Sequence, residues 1–199
     1  MDADYSVELG PEAPSLEIPW IDPGGERQYV DLRTETEAIE HNIELVSEAH
    51  DFPALRRFLI ELNSQRSVWR TAKCDVWTET DCQGGNQYER EFLQGCYVDV
   101  ALAETETEPR EGLEFHRRSA QQFARLMEED DAIEASAEIV VRRCYFHIVA
   151  AGATLEESDA GYCLTVFLTG YGASAEAAAN QWERALELAA GCFLRTSHR

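Results

Sequence analysis

The sequence predicts an α+β fold, a mainly antiparallel four-stranded sheet made from a duplicated β-β-α unit, with two extra N-terminal helices. Three observations predict it. Apolar residues recur at helical spacing in residues 34–63, 113–129 and 175–194. They alternate with period two in residues 68–78, 92–103, 137–149 and 161–169. The order strand, strand, helix then occurs twice, and residues 95–102 (GCYVDVAL) echo residues 161–168 (GYCLTVFL).

Residues 1–30 hold Pro11, Pro14, Pro19, Pro23 and the pair Gly24-Gly25, and read as an extended arm. Trp20 would pin that arm to the globule, because a tryptophan left in water wastes apolar burial. One domain is expected over residues 31–199. Within it, residues 31–65 form a helical pair, and residues 66–131 and 132–199 are the two β-β-α units.

The first helix starts near Thr34, which has capping-box spacing to Glu37, and carries Ile39, Ile43 and Val46. The second starts at Pro53 and has the stripe Leu55, Phe58, Leu59, Leu62. In the strand from 68, Ala72, Cys74 and Val76 share one side, and Lys73, Asp75 and Trp77 the other. The strand from 92 carries Cys96, Val98, Val100 and Leu102 on one side. The helix over 113–129 has Phe115, Phe123, Leu126 and Met127. It ends in Glu128-Glu129-Asp130-Asp131, where acids meet the negative end of a helix dipole. Solvent, a cation or a basic partner would relieve that. The strand from 137 leaves its parity open, since Arg142 and Arg143 put a charge on both sides. The last helix, from 175, is capped by Ser174.

At 199 residues with 44% apolar residues, the chain can build one core. Its net charge of −21 repels nucleic acid and anionic lipid, so neither is an expected partner. A basic protein partner and a second copy of the chain are the partners it admits. The residues after Met1 lack the basic and apolar regions of a signal peptide, and no apolar run is of membrane length. The expected address is the cytoplasm. Cys74, Cys82, Cys96, Cys144, Cys163 and Cys192 contain no C-x-x-C pair. They read as structural free thiols, with Cys82, in a polar loop, the reactive one.

No motif forces a catalytic chemistry. His41, His50, His116, His147 and His198 have no metal-ligand spacing, and no nucleophile elbow occurs. No metal, cofactor or catalytic residue is expected. Gly170-Tyr171-Gly172-Ala173-Ser174 stands where a phosphate-binding turn would stand, but G-x-G alone reads better as a tight turn and a helix cap.

If the helices take the side of the sheet with Cys96, Val98, Val100, Leu164, Val166 and Leu168, the other side is a candidate binding surface. It would present Lys73, Asp75, Trp77, Tyr97, Asp99, Arg143, Tyr145 and His147, with Thr165 and Phe167 among them. Aromatic rings offer area, Lys73 and Arg143 offer charge, and His147 beside Asp75 or Asp99 would make an acid–base pair. The same mix also suits a half-exposed sheet held by cross-strand pairs. Three readings follow: a non-catalytic protein-interaction module, a small-molecule binder or enzyme using this second face, and a subunit of a homo-oligomer. They turn on whether the N-terminal helices cover that face.

Overall fold

A computed structural model describes residues 1–9, 16–18, 30–33, 36–80, 88–103, 109–147 and 158–196. The alternation of Asp2, Ala3, Asp4, Tyr5 and Ser6 gives strand β1 (Asp2–Glu8), and β2 (Leu16–Ile18) follows. Then come α1 (Thr36–Asn42), a 3-10 turn (Ile43–Leu45), α2 (Ser47–Asp51) and α3 (Pro53–Leu62). The remainder alternates as expected: β3 (Trp69–Thr80), β4 (Phe92–Leu102), α4 (Pro109–Glu128), β5 (Ala135–His147), β6 (Ser158–Gly172) and α5 (Ala175–Thr196).

The expected four-stranded, mainly antiparallel sheet is overturned. One mixed sheet has five strand positions in the order β1-β5-β6-β4-β3, and β2 pairs further along the same edge of β5 as β1. Both N-terminal strands run parallel to β5, while the other pairings are antiparallel. The reason lies in residues 2–8, whose polar–apolar alternation was masked by the prolines that follow. The class α+β stands. The order strand, strand, helix recurs, but the sheet is not two such units alone.

Helices α4, α5 and α3 lie side by side on one face. α4 spans β1, β5 and β6, α5 covers β6 and β4, and α3 packs on α5 and β3. The N-terminal helices thus extend the same helical layer towards the β3 edge. A single core joins Ile39, Ile43, Leu55, Phe58, Leu59 and Leu62 to Val98, Val100, Ile139, Leu164 and Trp182. At its centre the fully buried Trp69 meets Phe115 and Phe193, each with ring centroids 5.3 Å away. The second face, as a face, has no described helix over it.

Two irregularities separate expectation from fold. The first helix breaks at the 3-10 turn, leaving Val46 extended at φ −92° and ψ 103°. Strand β3 bulges between Thr71 and Cys74. Cys74 and Val76 therefore join the helix side, while Ala72 packs against the opposite cluster. The β3 edge near the bulge is clamped by Asn63, whose side-chain oxygen accepts from Thr71 N at 3.0 Å while its amide donates to Thr71 Oγ1 at 2.7 Å.

Other expectations are settled locally. Ser174 Oγ accepts from Ala177 N at 3.2 Å, which caps α5. At the acidic end of α4, Arg184 approaches Asp130 to 3.7 Å and the Met1 amino group donates to the Asp130 carbonyl at 2.7 Å. Cations supplied by the chain thus meet part of that negative charge. Trp20, Thr34 and Cys82 lie outside the described residues, as do residues 104–108 of the acidic loop.

Candidate functional site

The pairing register assembles the second face row by row. One row runs Asp4, Glu138, Phe167, Tyr97, Asp75 across all five positions. Opposed residues in adjacent strands share a face, so these side chains stand in line. Phe167 and Tyr97 are half-buried, with ring centroids 5.9 Å apart. Asp4, Glu138 and Asp75 are exposed. The next row places Trp77 opposite Gly95. A Cβ on Gly95 would lie 2.6 Å from the Trp77 indole, so the glycine makes room for that ring on the face.

On the other side of this row the face is closed. Ile18, Ala101, Cys144 and Cys163 form a small buried cluster. Between open and closed halves sits Asp99, 3% exposed, accepting from Thr165 Oγ1 at 2.6 Å. Burial raises its carboxyl above the usual range, while the Thr165 hydrogen bond and the charges of Arg142 and Lys73 oppose the rise. Tyr97 is pushed up to about 12, first by burial and then by Asp99 and Asp75. The Cys163 thiol is raised by its hydrogen bond with Cys144 and by burial, and burial holds Cys96 at about 12. Thiols so disposed are inert packing groups.

Of the eight residues singled out by sequence, Asp75, Trp77, Tyr97 and Asp99 lie together on this face, and Lys73 sits in the bulge near Asp99. Arg143 and Tyr145 do not. Arg143 pairs with Tyr162, which packs on the main core, and both it and Tyr145 share the parity of Ile139 and Val141. The larger apolar residues, Ile139 and Val141, take the thick core. Cys144 suits the small-residue cluster, and this settles the parity. Arg142 is the arginine of the second face, with Nε 3.2 Å from Glu8. His147 pairs through its backbone with Ser158, and its side chain lies outside the described part of the structure.

Sequence reasoning missed Asp4 and Glu138. Both were legible as the polar positions of alternating strands once parity was fixed. It also missed Glu48, which with Lys73, Cys74, Asp75 and Tyr97 lines a cavity of about 320 Å³ beside the bulge. Gly170 serves neither as a turn nor as a phosphate cradle. A Cβ there would lie 2.2 Å from Trp182 N, so the glycine permits α5 to approach β6.

His116 stands apart from the site, in the core. Its Nδ1 lies 2.7 Å from the Gly112 carbonyl, which must accept, so Nδ1 carries the hydrogen. Nε2 has no partner among the described residues, and burial lowers the pKa to about 4. Among the described residues no group of three or more His, Cys, Asp or Glu is gathered to hold a metal ion, and no helix is long and apolar enough to cross a membrane. No protein-family model, no curated protein and no solved structure matches the chain.

Proposed function

We propose that the chain is a non-catalytic recognition module whose open half-face takes the basic side chains of a protein partner. The observation that carries this reading is the cross-strand row in which carboxylates bracket two aromatic rings: Asp4 and Glu138 at one end, Asp75 at the other. Two basic side chains laid across it, one towards each end, would each set a stem on a ring face and a charge on a carboxylate. The net charge of −21 adds a long-range attraction for basic surfaces, which raises association rate more than affinity. Two copies set face to face would oppose carboxylates to carboxylates, so this face does not favour self-pairing.

Calorimetric titration with a lysine- and arginine-rich peptide tests it. Replacing Glu138 and Asp75 together by lysine is expected to weaken binding at least about tenfold, the effect of roughly 1.4 kcal/mol. Phe167→Ala is expected to weaken it about threefold or more. An affinity that ignores the double charge reversal, or that does not fall with added salt, sinks the reading.

A further inference from the structure

A second site lies around the edge of β3. Two backbone irregularities face each other there: the extended Val46 between the 3-10 turn and α2, and the bulge between Thr71 and Cys74. Val46 keeps its N–H on the Ile43 carbonyl at 3.1 Å, while the bulge breaks the ladder of β3, and bulges recur beside binding sites. Between them is the cavity of about 320 Å³, at the small end of the roughly 300–1,000 Å³ of ligand pockets. Leu32, Val46 and Leu59 give it an apolar wall. Leu45 lies at the same cavity with 63% of its surface exposed, apolar area that an apolar ligand stem would remove from water.

Its polar groups select the sign of the ligand. Glu48 enters from α2 and Asp75 from β3. One oxygen of each is engaged locally, Glu48 Oε2 by Ser47 Oγ at 3.0 Å and Asp75 Oδ1 by Val76 N at 2.8 Å, and the other oxygen remains to accept. Lys73 also lines the cavity, and its charge acts on the buried Asp99. The carboxylates act on the groups around them: after burial, Glu48 raises the Cys74 thiol, and Asp99, Asp75 and Glu48 each raise Tyr97.

We propose that this cavity binds a small organic cation, an ammonium or guanidinium on an apolar stem, with the charge held by Glu48 and Asp75 and the stem against Leu32, Val46 and Leu59. The same chemistry is offered by a free amine and by a lysine side chain of a bound peptide. The cavity shares Asp75 and Tyr97 with the open face, and Glu48 marks it off, because Glu48 lines the cavity and has no place in the cross-strand row.

The test is a titration of the full chain with hexylamine, followed by amide shifts in ¹H–¹⁵N spectra, with hexanol and hexanoate as controls. Hexylamine is expected to saturate, to shift the amides of Val46, Glu48 and Cys74, and to bind about tenfold or more tighter than either control. Glu48→Gln is expected to lose about tenfold in affinity for hexylamine, read from the amides of Val46 and Cys74. Competition between hexylamine and a lysine-containing peptide, but not its acetylated form, assigns the cavity to a partner's side chain. Saturable hexylamine binding without competition assigns it to a free amine. Absence of saturation, equal binding of hexanol, tighter binding of hexanoate, or full affinity in Glu48→Gln overturns the proposal. The hexanol and hexanoate comparison needs no variant, so a folding defect in Glu48→Gln cannot hide the answer.

Discussion

His116 is a core residue that titrates. Trp69, Phe115 and Tyr162 surround its ring, with centroid distances of 5.7, 6.0 and 6.4 Å, and its pKa falls from 6.5 to about 4 through burial. The unfolded chain takes up this proton first, so stability is lost as pH falls from 6.5 towards 4. The full effect is about 3 kcal/mol, from roughly 1.4 kcal/mol per pKa unit. Asp99 acts in the opposite sense, since its raised pKa lowers stability as pH rises above 3.8. In His116→Phe the Asp99 contribution persists and the histidine contribution vanishes. Urea midpoints measured between pH 4 and 6.5 should therefore move in favour of the variant as pH falls. A constant difference across that window would contradict the burial of a neutral imidazole. The sequence offered His116 only as one of five histidines without metal spacing. Its role came from the fold, because nothing local to residue 116 says that Trp69, Phe115 and Tyr162 converge on it.

Among the elements, α3 and those after it were legible because each has one apolar stripe. α3 begins at Pro53, and Leu55, Phe58, Leu59 and Leu62 are all buried. Where two stripes competed, the reading failed. Arg142 and Arg143 left β5 ambiguous, and the bulge in β3 switched the side on which Ala72 packs. The glycines differ in the same way. A Cβ at Gly170 meets the backbone of α5 at 2.2 Å, which cannot swing aside, whereas at Gly95 it meets the Trp77 side chain. Gly170→Ala should therefore lower stability by about 3 kcal/mol, the upper part of the usual overpacking cost. Gly95→Ala should cost less than half of that and instead disturb the Trp77 ring on the open face. Chemical denaturation of both variants checks the ordering, and equal losses would show that α5 does not press on β6 as closely as described.

At the scale of the molecule, charge works against compactness. A net charge of −21 on one small fold is self-repulsion that salt screens. Raising salt from about 0.01 M to about 1 M shortens the Debye length from about 30 Å to about 3 Å. The thermal midpoint should rise by several degrees across that range, while binding of a basic partner weakens. A midpoint that falls with sodium chloride would mean that the ion pairs, such as Arg90 with Glu134 at 2.5 Å, outweigh the repulsion.

The class α+β, the elements from α3 onwards, the acidity and four of the five second-face residues expected from β3 and β4 were readable before folding. Those depend on local periodicity and composition, which a chain carries without being folded. Packing fixed the parallel edge made by β1, the place of α3 beside α5, and the face on which each arginine of β5 stands. It alone opened the cavity at the bulge. These features depend on which apolar surfaces compete for the thicker core, and such competition exists only when all the strands and helices are present together.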